Sequence, residues 1–170
     1  MINLPIPNYV HRLVNNYLSF HNIAQRGRFD GDFENQFTGL LGEVMVYEYL
    51  FKTTPELKEG NDGGIDMVYK GTSIDVKTMR RNVLAKPEYV NNFLALQMNT
   101  KCDVLIFNSY CEPLNTLQIC GWIFKKELLE RGQLIKKGEF RYRTNGTKFQ
   151  VLEDTIEIQN SNLRIMRPIS

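Results

Sequence analysis

The chain has 170 residues, 42% hydrophobic and 24% charged, enough to bury one substantial core, so a single domain over residues 1–170 is expected. No apolar run reaches membrane-spanning length and the N-terminus lacks the charged-then-apolar build of a signal peptide; no membrane partner is expected, and the expected location is the cytoplasm, the host's if the chain is virus-encoded. A formal net charge of +2 does not by itself announce a nucleic-acid binder.

Asn8 to Ala24 reads as an amphipathic helix after the Pro5 and Pro7 lead-in, and Gly27 to Gly31 as a basic-then-acidic linker. Phe33 to Phe51 reads as a second helix with Asp32 as its N-cap. Its apolar residues, from Phe37, Leu40 and Leu41 to Val44, Met45, Val46 and Leu50, cover most of the circumference, so this helix is expected to be buried. Glu43 lies in its middle, where a carboxylate is costly without a partner. Either a buried Lys or Arg pairs with it, or it belongs to a site. Gly39 and Gly42 precede it and leave a small-residue surface that a strand or a metal could approach closely.

Thr53 to Gly64 is a charged loop, and the run from Gly63 to Lys77 that follows carries the densest chemistry in the chain. Ile74 and Val76 alternate with Asp75 and Lys77, so a strand here turns its branched residues to one face and both charges to the other, polar face. Lys70-Gly71 sits where a tight reversal is expected, which would fold Asp66 back beside Asp75. Two carboxylates on one face are a poor arrangement unless a divalent cation lies between them. Mg²⁺ or Mn²⁺ takes oxygen ligands, here Asp66, Asp75 and the backbone carbonyl of Val76, and activates water against a phosphodiester. Lys77 could orient that water or stabilise the phosphorane. Gly63 and Gly64 would let the chain turn sharply into the strand. An Asp-x-Lys strand alone is the ordinary face of a solvated hairpin; Glu43, as a further carboxylate in an unusual place, makes a four-residue site of it.

Lys86-Pro87 then breaks the chain before an expected helix from Glu88 to Asn99. Asp103 to Tyr110, with the short continuous apolar run Val104-Leu105-Ile106-Phe107, suits a central buried strand, and Thr116 to Phe124 is again strand-like. Lys125 to Arg131 reads as a helix ending at Gly132, followed by strand candidates at Thr147 to Leu152 and Thr155 to Ile158. Cys102, Cys111 and Cys120 are odd in number and lack Cys-x-x-Cys spacing, which suits buried free thiols. His11 and His21 have no paired ligand motif and are expected to be structural or surface residues. The order helix, hairpin, helix, strand, strand fits an α/β (α+β) sandwich around a mixed sheet flanked by helices.

Glu43 in a helical Gly-Glu, Asp66 after a glycine pair, and Asp75-Val76-Lys77 on the next strand together resemble the PD-(D/E)XK nuclease superfamily, whose fold is restriction-endonuclease-like. The similarity covers about Phe33 to Trp122. The later Gly121-Trp122 followed by a Lys/Glu-rich helix is similar to small phage-encoded members, and Holliday-junction resolvases belong to the same superfamily. The resemblance implies metal ligands at Asp66, Asp75 and the Val76 carbonyl, a catalytic lysine at Lys77, and a metal- or water-contacting Glu43, with Mg²⁺ or Mn²⁺ as cofactor. The proline that names the motif is replaced by Ile65, and Gln97 is followed four residues later by Lys101 instead of the tyrosine of some exonuclease branches.

Basic residues gather where a phosphate backbone would run. Arg80 and Arg81 lie just past Lys77, and Lys125, Lys126, Arg131, Lys136, Lys137, Arg141, Arg143 and Lys148 form a C-terminal basic extension. Lys125 and Lys126 read equally as a solvated helix face, and Phe140-x-Tyr142 as a half-buried strand or as a platform for unpaired bases. The expectation is a metal-dependent endo- or exonuclease acting on DNA, with a junction-resolving homodimer as one form of that reading. The alternative is a catalytically silent nucleic-acid-binding or assembly protein on the same fold.

Overall fold

Helix α1 (Asn8–Phe20) begins directly after Pro7 and turns Val10, Val14 and Leu18, spaced for one face, into the interior. The structure is a computed structural model, and it describes residues 1–21, 32–57, 64–142 and 146–167. Helix α2 (Phe33–Phe51) starts where the Asp32 carboxylate accepts the Asn35 amide at 2.9 Å, and stops at Lys52 in the left-handed region. The expected continuation of α1 to Ala24, the Gly27–Gly31 linker, Gly63 and Arg143 lie outside the described residues.

The strands among those residues are β1 (Ile2–Pro5), β2 (Met67–Tyr69), β3 (Thr72–Arg81), β4 (Val90–Leu94), β5 (Val104–Cys111), β6 (Thr116–Phe124), β7 (Gln133–Ile135), β8 (Phe140–Tyr142), β9 (Lys148–Gln150) and β10 (Thr155–Gln159). The main sheet has the order β1-β6-β5-β3-β2, with β3 and β5 parallel and the other neighbours antiparallel. Every residue of β5 is buried: Val104 to Phe107 as their apolar run requires of a central strand, and the polar Asn108 and Ser109 with them. The architecture is thus mixed α/β.

Its two faces are covered differently. On one, α1 and α2 meet Ile74 and Val76 of β3 and Val104 and Ile106 of β5 in the larger core. On the other, a second sheet of order β4-β10-β7 brings Phe93, Ile156 and Ile158 against Leu105, Phe107 and Ile123. The expected helix from Glu88 to Asn99 is not formed: β4 takes its first half, and only Ala95–Asn99 turns helically, as a 3₁₀ segment. Val90-Asn91-Asn92-Phe93 combines weak helix formers with period-two burial, and β10 offers a complete antiparallel ladder. Asn91 Nδ2 also donates to Asn160 Oδ1 at 2.7 Å.

Lys125–Glu127 is a 3₁₀ turn that leads into α3 (Leu128–Arg131), closed by the Gly132 amide on the Leu128 carbonyl. β8 and β9 form a separate two-stranded ribbon, narrower than the expected Thr147–Leu152 strand. Phe140 and Tyr142 are exposed there, not half-buried, because the intervening Arg141 takes the inward position and pairs with Glu157. No helix among the described residues is long and apolar enough to cross a membrane.

Candidate active site

The site is assembled at the hairpin between β2 and β3. Lys70 and Gly71 have φ of 50° and 80°, the two positive values that a two-residue turn of matching twist requires. That turn sets the register Met67↔Ile74, so the next pair beyond the strand end is Asp66 and Asp75. The Asp66 amide donates to the Ile74 carbonyl at 2.9 Å, and its Oδ2 accepts the Val76 amide at 2.6 Å. Val76 therefore meets Asp66 through its N–H, whereas its carbonyl was the expected contributor.

Asp75 and Lys77 share the other face of β3, and Lys77 Nζ lies 2.6 Å from Asp75 Oδ1. The polar face predicted for them is not solvated. Asp75 is only 2% exposed, because the second sheet covers that face, and the Lys77 ammonium sits 5.8 Å from the centre of the fully buried Phe93 ring. Phe93 and Cys102 border the site and are absent from the sequence expectations. The period-two placement of Asn91 and Phe93 was the available signal for β4.

Glu43 reaches the same place from α2. A side-chain carbon at Gly42 would fall 1.8 Å from Thr78 Oγ1, so the glycine lets the helix lie directly on β3. Gly39, by contrast, has nothing near it. The consequence registers on Asp66, whose carboxyl is held well above the usual range. Burial is the largest cause, the Glu43 and Asp75 charges add to it, and the Val76 amide and Lys77 oppose it. Glu43, Asp66, Asp75 and Lys77 are thus within electrostatic reach of one another, three carboxylates against one ammonium.

The donor chemistry suits a hard divalent cation, being carboxylate oxygen throughout with surplus negative charge. The carboxylates do not converge, however: no three or more His, Cys, Asp or Glu side chains among the described residues are grouped so as to hold a metal ion. Asp66 is turned to the Val76 amide and Asp75 to Lys77.

The basic residues divide differently from expectation. Arg80 and Arg81 point to opposite faces of β3 and cannot act as a paired grip. Arg80 ties Glu34 of α2 to Glu112, which it holds at 2.6 and 2.9 Å. Arg81 Nη2 donates to the Val90 carbonyl at 2.6 Å, its guanidinium lies over Tyr89, and burial draws its pKa down. Lys125 is buried instead of lying on a solvated helix face, its ammonium donating to the Thr100 carbonyl and, at 2.7 Å, to Thr100 Oγ1. Lys126 is exposed beside Phe124. Farther on, Lys136 pairs with Asp154, Lys137 with Glu153 and Arg141 with Glu157, so nearby carboxylates neutralise these three members of the C-terminal basic extension.

The three cysteines are free and buried. His11 Nε2 meets Asn115 Oδ1 at 2.6 Å and its ring stacks on Phe37, a structural role. No family model matches the chain, and neither a curated protein nor a solved structure matches it.

Proposed function

We propose that this chain is a divalent-metal-dependent nuclease of the PD-(D/E)XK type, with a restriction-endonuclease-like core, that hydrolyses phosphodiester bonds in DNA. The observation that carries the reading is the crowding of Asp66 by Glu43 and Asp75, with Lys77 bonded to Asp75 on the same strand face. Such crowding costs stability and finds a use when a cation is bound. Asp66, Asp75 and Glu43, with the Val76 carbonyl, would hold Mg²⁺ or Mn²⁺, which neutralises phosphate charge and acidifies a bound water.

The chain's own residues account for the rest. Lys77, a quarter exposed, presents N–H donors beside Asp75, suited to orienting the attacking water and to stabilising charge on the phosphorane oxygens. The water oxygen bonds to phosphorus as the bond to the leaving sugar oxygen breaks. The buried flank formed by Phe93 lowers the local dielectric and strengthens those charge contacts.

Among the described residues Asp66 turns to the Val76 amide and Asp75 to Lys77, and this divergence favours a second reading, a nucleic-acid-binding or assembly protein without catalysis. One experiment separates them: incubation with linear, nicked, single-stranded and four-way-junction DNA in Mg²⁺ and Mn²⁺, with Ca²⁺ as control. Cleavage that Asp75→Asn removes supports the nuclease. Binding without cleavage in either metal supports the alternative, and preferential cleavage of the four-way junction supports the junction-resolving form of the nuclease reading.

A further inference from the structure

A cavity of about 490 Å³ opens at the end of the main sheet where β3 and β5 begin and β6 stops. We propose that it is a subsite for one nucleotide of the bound strand, the phosphate resting on Lys125 and Lys126 and the base between Met98 and Phe124. The proposal rests on the nuclease reading, because the neighbouring site is what makes a nucleotide the appropriate anion.

Lys125 is the central observation. It is 5% exposed, lines the cavity, and spends two of its three N–H donors on Thr100, whose carbonyl and hydroxyl are neutral. No carboxylate pairs with it among the described residues. An ammonium so placed is costly unless a negative charge joins it. Lys126, exposed at the rim with Nζ 5.7 Å from the Phe124 ring centre, supplies a second cation.

The remaining wall argues for a nucleotide over a bare polyanion. Met98 and Phe124 provide an apolar surface, and a base has a π-face to stack on it. Asp103 also lines the cavity, and its Oδ2 takes both the Ser73 hydroxyl, at 2.6 Å, and the Ser73 amide, at 3.1 Å. Its carboxylate disfavours a second phosphate but accepts a hydrogen bond from a base amino or imino group.

The cavity adjoins the candidate active site. Thr100 packs against Gly64, where a side-chain carbon would come within 2.7 Å of it, two residues before Asp66. Thr72 on the wall is three residues before Asp75, roughly 10 Å along the strand. A few nucleotides of one strand span that separation.

The test is fluorescence anisotropy of labelled hexathymidylate with the full chain in EDTA, where cleavage cannot interfere. Lys126→Glu is expected to weaken binding at least tenfold and to lower the salt slope by about one. A hexamer of abasic sugar phosphates is expected to bind several-fold more weakly than hexathymidylate. The idea is overturned if the wild-type chain does not bind hexathymidylate, if Lys126→Glu changes affinity less than twofold, or if the abasic hexamer binds equally well. Lys125→Met, checked for folding by circular dichroism, should match Lys126→Glu if it folds; Lys126→Glu decides the matter if it does not. Loss of binding in Lys126→Glu with no cleavage of any DNA by the wild type would sink the nuclease reading and leave the subsite standing. Cleavage with unchanged hexamer binding would sink the subsite alone.

Discussion

The Asp66 carboxyl is pinned to the Val76 amide at 2.6 Å, one residue past Asp75, so the hairpin ladder itself fixes where two like charges meet. The contact is stronger than a neutral hydrogen bond when Asp66 is ionised. It partly offsets the burial and the Glu43 and Asp75 charges, which together still hold the Asp66 carboxyl in its protonated form to well above the usual pH. The relationship makes the site both a candidate for catalysis and a measurable weak point of the fold.

Removing Lys77 and removing the Asp75 charge should differ in their cost. Lys77→Ala leaves the 2%-exposed Asp75 carboxylate without its closest cation and should destabilise the chelator-treated protein by about 1–3 kcal/mol. Asp75→Asn removes a crowded charge and leaves a lysine that reaches water, so its melting temperature in chelator should hardly fall. Both changes should abolish cleavage. Thermal melts of the two variants in EDTA give the comparison, and an equal loss in both would mean that burial of Asp75 is compensated elsewhere.

Asp66 predicts an unusual pH profile. The folded state binds its proton more tightly than the unfolded chain does, so unfolding releases protons and stability declines as pH rises from the ordinary value of 3.8 to the raised folded one. Below 3.8 this contribution is complete, and above the folded value it is lost. Asp66→Asn should flatten the decline and melt higher than wild type near neutral pH in chelator. Glu43→Gln, which removes the larger of the two charge contributions, should flatten it partly. Mg²⁺ should stabilise the wild type more at pH 8 than at pH 5. Melting curves across that range check all three, and a wild-type profile that rises with pH would contradict the assignment.

Gly42 is expected to tolerate no side chain. With Thr78 Oγ1 at 1.8 Å and Thr78 Cβ at 2.9 Å from the added carbon, Gly42→Ala must push α2 off β3, at about 1–3 kcal/mol. The same shift carries Glu43 away from Asp66, so activity should fall further than stability explains. Thr78→Ala in the Gly42→Ala background should restore part of both, which denaturant titration and turnover at saturating DNA would show.

Arg80 and Arg81 should behave as unrelated residues. Arg81→Ala removes the donor to the Val90 carbonyl and should cost about 1–3 kcal/mol by loosening the entry to β4. Arg80→Ala breaks only exposed bridges to Glu34 and Glu112 and should leave the melting temperature almost unchanged. Neither should alter the slope of log affinity against log salt for DNA in Ca²⁺. A slope reduced by about one in Arg80→Ala would return that residue to the phosphate track.

The sequence alone determined what short-range geometry determines. Period-two alternation places Ile74 and Val76 opposite Asp75 and Lys77, and Lys70-Gly71 closes a turn that leaves Asp66 across from Asp75, because these relations span only a dozen residues. The capped, apolar-all-round α2 with Glu43 at its middle was legible for the same reason. Tertiary structure decided which of these faces meets water. Asp75 is buried because β4 and β10, some sixty residues apart in the chain, pair and lie across β3, and nothing local in Asn91 or Phe93 signals that partner. The local sequence at Lys125 suits a solvated helix face and a phosphate contact equally, and only the turn at Thr100 buries it. Lys136, Lys137 and Arg141 of the C-terminal basic run are paired by carboxylates that follow in sequence but meet them only in the fold. Burial and charge pairing depend on chain segments brought together by folding, and a local pattern carries no record of them.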